Sequence, residues 1–224
     1  MDRNRIARKL LTTAAFFFLL LFLPAGTFAW RQAWIFLAIT AATILTSTLT
    51  LAWLNPEIFV VRQRVQPGTK QWDRVLLALL FPAMSAIFIV ASLDSGRFHW
   101  STPPAWTSYL GYGLYFFGFA LFTFAQTVNR FFEPGVRIQT ERGHHVIDRG
   151  PYRFIRHPGY VGACTFMIGS ALALGSLWAL VPSACTCLLL LIRTKREDQT
   201  LRAELPGYDD YAQRVRFRWL PGLW

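Results

Sequence analysis

Charge is scarce in this 224-residue chain: only 16% of its residues are Asp, Glu, Lys or Arg, against roughly 25% in an ordinary soluble domain. Hydrophobic residues make up 54%, which excludes disorder and argues against a soluble globule. Cysteine is scarcer still. Cys164, Cys185 and Cys187 are odd in number and lie in apolar runs, away from any second Cys or His pair at metal-ligand spacing. No disulfide framework or metal site follows, and three buried thiols are expected. Acidic residues number 12 against 23 Lys plus Arg, a formal net charge of +11. The excess is dealt out between apolar runs and not gathered in one patch, which argues against a nucleic-acid partner. Internal repeats and low-complexity linkers are also lacking, so residues 1–224 are read as a single domain.

What the chain has in quantity is long uncharged sequence. Residues 10–28, 33–54, 75–93 and 108–128 are four such runs, each close to the ~20 residues that cross a bilayer core. Residues 159–192 form a fifth, 34 residues long. As one straight helix it would extend about 51 Å, too far for a core of about 30 Å. It is therefore predicted to fold back at Gly175 and Ser176, with Pro182 early in the returning helix. The predicted architecture is all-α and multi-pass: about six transmembrane segments, the last two a short, tightly paired hairpin, under a cytoplasmic cap. Gly111 and Gly118 share one face of the fourth segment, and Gly169 and Ala173 are a small-residue pair in the fifth. Both patterns predict close helix packing.

The basic residues assign the sides. In this arrangement 21 of the 23 Lys and Arg fall on one side, leaving only Arg31 and Arg97 on the other. By the positive-inside rule both termini and the loops 55–74 and 130–158 face the cytosol, in the cytoplasmic (inner) membrane. Arg3, Arg5, Arg8 and Lys9 precede the first run, so a cleaved signal peptide ending near residues 27–29 is its competing reading. The orientation of the remainder is the same in either case. Ionisable residues are essentially missing from the runs themselves, which argues against a transporter or channel with a polar path.

Polar information is concentrated in two cytoplasmic stretches, 130–160 and 193–218. The first contains RIQTERGHHVIDRGPYRFIRHPGYVG over residues 137–162, with three of the four histidines. Gly150-Pro151 signals a turn. Pro158 suits the first turn of a helix, which places His157 at its cap, Tyr160 along the same face, and free N–H groups where an anion is favoured. In the second stretch Arg193 and Glu197 are one helical turn apart and share a face at the membrane edge.

Together these elements resemble the isoprenylcysteine carboxyl methyltransferase family of integral-membrane, S-adenosylmethionine-dependent enzymes. The carriers are GHHVIDRGPYRFIRHPGYVG, the glycine-containing hairpin, the Arg193 to Glu197 spacing and GYDDYAQRVRFRWLP at 207–221; residues 55–75 look like bacterial members. The resemblance implies an adenosylmethionine site lined by His144, His145, Val146, Ile147 and Tyr152, with Gln139 as a further member. His157, Pro158, Gly159 and Tyr160 would complete it. Glu197 would hold the amino-acid end of the cofactor, and Arg193 would face and orient the methyl acceptor, so that Arg193 and Glu197 form the implied catalytic pair. One departure is Glu197-Asp198 where the family has two glutamates, which leaves the second acid without a role.

The residue chemistry accords with such a site. A carboxylate, an ammonium and a sulfonium on one molecule call for N–H donors, an acid and aromatic or backbone surface. The expected partners are the lipid bilayer and a lipophilic acceptor, a prenylcysteine-like carboxylate first, with no metal and no nucleic acid. Phospholipid or small-molecule N- or S-methylation on the same scaffold is the alternative, and there Glu197, Asp198 or a histidine would have to serve as base.

Overall fold

The computed structural model describes residues 3–222 and 224, and side chains from residue 12 onward. The side chains of the basic cluster Arg3, Arg5, Arg8 and Lys9 lie outside the described residues. Among the described residues the fold is helical without strands. Six long helices run α1 (Arg3–Ala25), α2 (Arg31–Leu54), α4 (Gln71–Ala91), α5 (Ala105–Val128), α6 (Pro158–Ala173) and α7 (Leu180–Glu204), with short helices α3 (Ile58–Val61) and α8 (Tyr208–Arg214). A π-helical segment, Ser92–Phe98, extends α4. Among the described residues three helices, Arg31–Leu54, Gln71–Phe98 and Ala105–Val128, are long and apolar enough to cross a membrane, and Thr12–Ala25 and Pro158–Ala173 are shorter apolar helices. Only 17%, 28% and 22% of the most apolar windows of the three long helices are buried within the chain, so most of that surface must meet lipid. Leu49, Trp53, Phe81, Phe117 and Leu188 are among the exposed side chains.

The predicted hairpin is present, with a different packing. Gly175 adopts a left-handed φ of 74°, which glycine reaches without a Cβ penalty, and α7 begins five residues later with Pro182 in its first turn. α6 has 16 residues, but α7 has 25 and runs on past the apolar stretch, so only one arm is short. The tight partner of α6 is α5, not α7. A Cβ at Gly118 would lie 2.4 Å from the backbone N of Phe166, one at Gly162 2.7 Å from the O of Gly118, and one at Gly111 2.2 Å from the N of Ala173. Backbone touches backbone along this seam, as the spacing of small residues predicted. Cys164 is buried and Cys187 half-buried, but Cys185 is exposed. The expectation of three buried thiols fails because that face of α7 points outward from the bundle.

At the end opposite the polar loops Asp94 is buried and accepts from Ser101 N (2.7 Å), Ser101 Oγ (2.6 Å) and Ser176 Oγ (2.6 Å). It fastens the 94–107 loop to the hairpin turn, so both sit at one end of the bundle. Exposed Phe98, Trp100, Trp106, Tyr109 and Trp178 surround this end, in the manner of an interfacial aromatic belt.

Gly118→Ala is expected to destabilise the detergent-solubilised protein by about 1–3 kcal/mol, because the extra methyl forces a rigid backbone contact apart. Gly113 has open space around a Cβ, so Gly113→Ala should be neutral or slightly stabilising. Thermal unfolding of the two variants checks the contrast.

Candidate active site

A cavity of about 390 Å³ opens at the polar end of the bundle, within the range of small-molecule sites. Its walls fall into two parts. One is polar and aromatic, built from the 129–147 loop, the start of α6, the second half of α7 and α8. The other is an apolar limb between helices, lined by Leu77, Leu80, Phe81 and Met84 of α4, Phe122 of α5, and Ala163, Phe166 and Met167 of α6.

The loop is anchored before it can shape anything. Asp73, in the first turn of α4 and fully buried, pairs with Arg193 of α7 through Nε–Oδ1 at 2.7 Å and Nη2–Oδ2 at 3.0 Å. Its Oδ2 also accepts from Val136 N at 2.7 Å, and Arg193 donates to the Pro134 carbonyl. Although burial opposes it, the charge of Arg193 is reinforced by Tyr160 and Asp73, which hold its pKa above the ordinary arginine value. Gly135 fits because a Cβ would lie 2.4 Å from Thr69 Oγ1.

A second buried acid holds the other wall. Asp198 receives Arg156 at both oxygens (2.7 and 3.0 Å), Arg218 at 3.0 Å and the Tyr208 hydroxyl at 3.0 Å. Burial alone would raise its pKa, but the facing His157 and Arg156 hold it well below the usual carboxylate range. Arg156 also donates to the Val215 and Arg216 carbonyls at 2.7 and 2.8 Å, and the Arg156 and His157 amides bond to Phe217 and Arg218. The C-terminal tail is thereby stitched over the start of α6. The second acid of the pair thus has a structural role and does not line the cavity.

On this frame the predicted residues converge. Gln139, His144, His145, Val146, Ile147, Tyr152, His157, Gly159, Tyr160, Arg193 and Glu197 all line the cavity. Pro158 does not; it is fully buried in the first turn of α6, where it starts the helix. Gly150–Arg153 is a 3₁₀ turn with Pro151 at its start, as Gly-Pro predicted. His157 caps α6, and its ring stacks on Tyr160 at 5.7 Å and 10°. The Tyr160 hydroxyl donates to Glu197. His157 is buried, and its Nε2 has no hydrogen-bond partner although Asp198 Oδ1 is 3.5 Å away. His144 packs at a tilt of 40° against Phe131 with ring centroids 4.5 Å apart, and its Nδ1 accepts from the Gln139 amide at 3.3 Å. Burial, then neighbouring His145 and Arg137, lower its pKa to about 4, so the ring is neutral at pH 7 and its Nε2 carries the proton.

Two expectations are modified. Gln139 is buried, but its side-chain amide is spent within the loop: Nε2 donates to the Phe131 carbonyl at 2.8 Å and Oε1 accepts from Arg142 at 2.6 Å. Arg193 lines the cavity and lies 5.4 Å from the Tyr160 ring centroid, yet the fork that was to orient an acceptor is already engaged by Asp73. The sequence reading missed Asp73, Arg156, Tyr208 and Tyr211. A lone acid opening an apolar helix was the available signal for Asp73, since a buried charge requires a partner. Among the described residues no cluster of His, Cys, Asp and Glu is close enough to hold a metal ion.

Breaking the Asp73 pair should be severe. Asp73→Asn leaves the Arg193 charge buried and uncompensated, with an expected loss of about 3–5 kcal/mol of stability. Chemical denaturation in detergent measures it, and the double variant Asp73→Asn with Arg193→Gln should recover part of the loss.

Residues 110–203 match the isoprenylcysteine carboxyl methyltransferase (ICMT) family. No match was found among curated proteins. Among solved structures, the eukaryotic intramembrane Ras methyltransferase ICMT, determined without a monobody, is similar with a TM-score of 0.56 and 19% identity, over 93% of this chain and 74% of that one. The fold is shared at an identity where most side chains differ. The family match takes in most of α5, all of α6 and nearly all of α7, segments that line the cavity, and the solved structure shares the fold.

Proposed function

We propose that the protein transfers a methyl group from S-adenosylmethionine to the carboxylate of a prenylcysteine-like acceptor at the cytoplasmic face of the membrane. The observation that carries this reading is a single cavity with a polar chamber at the bundle end and an apolar limb between the helices. A water-soluble donor and a lipid-soluble acceptor need such a meeting place.

The residues present fit the donor. The buried His157 Nε2 makes no hydrogen bond within the chain, with Asp198 Oδ1 3.5 Å away, so a ligand atom in the cavity would complete its bonding. Glu197, held by Tyr160, supplies an acid for an ammonium. Neutral His144 supplies an N–H, and Tyr152, Val146 and Ile147 supply aromatic and apolar surface for an adenine. When bound, the sulfonium of adenosylmethionine supplies an electrophilic methyl group. The chain's task is alignment: reacting atoms must be held about 3–3.5 Å apart and in line. A carboxylate acceptor is already ionised at neutral pH, so no base is required. Tyr160 and His157, stacked at the start of α6, line the cavity between its polar and apolar parts.

His157→Ala and Glu197→Ala are each expected to weaken adenosylmethionine binding by about 1–3 kcal/mol, roughly fivefold to 150-fold. Calorimetry on solubilised protein tests this, and unchanged affinity in both variants would contradict the assignment. The sidedness has its own test. In a cysteine-free background, single cysteines placed in the 94–107 loop should react with an impermeant reagent added outside, whereas those in 130–158 should not. The reverse pattern would overturn the cytoplasmic orientation.

A further inference from the structure

Three of the arginines lining the cavity already have acidic partners: Arg193 with Asp73, Arg156 with Asp198, and Arg137 with Glu133 and Glu141. The fourth is Arg62. Among the described residues its guanidinium has no carboxylate or carbonyl acceptor, and its one side-chain contact of note is the face of Phe132, 5.2 Å from the ring centroid. Its position is nonetheless fixed. Arg62 ends α3, its amide donating to the Ile58 carbonyl at 3.1 Å, and Ile58 and Val61 are buried beneath it. Ahead of α3, buried Asn55 donates to the Gln126 carbonyl at 2.6 Å.

The place is as informative as the missing partner. Phe132, under the guanidinium, meets Phe122 edge-on at 5.6 Å, and Phe122 packs on the intramembrane cluster of Leu80, Ala163 and Leu190. Arg62 therefore stands where the polar chamber passes into the apolar limb. Burial and neighbouring Arg193 lower its pKa to about 10, which still leaves it charged at neutral pH. A desolvated guanidinium with all its donors open is a receptor for a planar two-oxygen anion.

We propose that Arg62 receives the carboxylate of the methyl acceptor and sets the preference for an anionic over a neutral acceptor. This rests on the reading that a prenylcysteine-like molecule occupies the cavity with its chain in the apolar limb. In the transfer an acceptor carboxylate oxygen bonds to the methyl carbon as the carbon–sulfur bond breaks, and its electron pair stays on sulfur. The anion and the sulfonium cancel, and no proton moves. The resulting ester no longer offers Arg62 a charge, so product is held less tightly than substrate.

The test is direct binding, in detergent, of an amine-blocked farnesylcysteine as free carboxylate and as methyl ester to the wild type, Arg62→Gln and Arg62→Lys. The wild type is expected to prefer the carboxylate tenfold or more, Arg62→Lys to keep part of the preference and Arg62→Gln to lose it. Adenosylmethionine affinity should stay within twofold throughout, and the KM for the carboxylate should rise tenfold or more in Arg62→Gln. No preference in the wild type, or an intact preference in Arg62→Gln, overturns the proposal. So does a loss confined to cofactor affinity, which would assign Arg62 to the donor's own carboxylate. Should Arg62→Gln fail to fold, Arg62→Lys carries the test, and a preference equal to wild type overturns it. Selective carboxylate binding through Arg62 with no methyl transfer to that carboxylate would defeat the proposed reaction and leave the anion site standing.

Discussion

The polar end of this molecule depends on one buried ion pair, Asp73 with Arg193. Two charges withdrawn from water are tolerated only with good geometry and with their remaining hydrogen-bonding capacity satisfied. Both conditions are met: two parallel N–H to oxygen bonds join the groups, Val136 donates to the acid and Pro134 accepts from the base. The result is a junction of α4, α7 and the 130–147 loop. Because α7 also carries Glu197, one turn beyond Arg193, this junction sets the depth at which the acid stands beneath Tyr160. A residue expected to handle substrate is thus first a structural one.

The second acid closes the opposite wall by the same logic. Asp198 gathers Arg156, Arg218 and Tyr208, drawing together segments more than sixty residues apart along the chain. Between the two acids lies the start of α6, with His157 and Tyr160 stacked on it. Its height relative to α5 is fixed by the glycine seam, where backbone contacts leave no room to slide. Chamber, helix start and membrane scaffold are therefore mechanically continuous, which is what a reaction governed by alignment demands.

The distribution of charge around the cavity also bears on its chemistry. On the proposed reading the donor would carry a positive reacting centre, and a cationic acceptor would bring a further charge toward Arg62, whose guanidinium stacks on Phe132. A carboxylate instead meets one open guanidinium. On that reading the junction would favour an anionic acceptor over a cationic one, because Arg193 is neutralised by Asp73 while Arg62 is not.

Much of the molecule was legible in one dimension. The uncharged runs marked the approximate bounds of the long helices, because the cost of burying charge in lipid leaves a gap in charged residues. Gly175, Pro158 and Gly150-Pro151 marked the hairpin turn, the start of α6 and the 3₁₀ turn, since those backbone shapes are written in single residues. The histidine loop, Tyr160 and Glu197 were legible as one constellation through the resemblance to a known family, and all of them line the cavity. Tertiary structure alone decided the partners. Nothing in the order of residues says that Asp73 answers Arg193 across 120 positions, that Asp198 belongs to the tail, that α6 leans on α5, or that Arg62 is left without an acid. Pairing of charges depends on distance in space, and the helices, each rigid and apolar, convey no record of which ends they bring together until they pack.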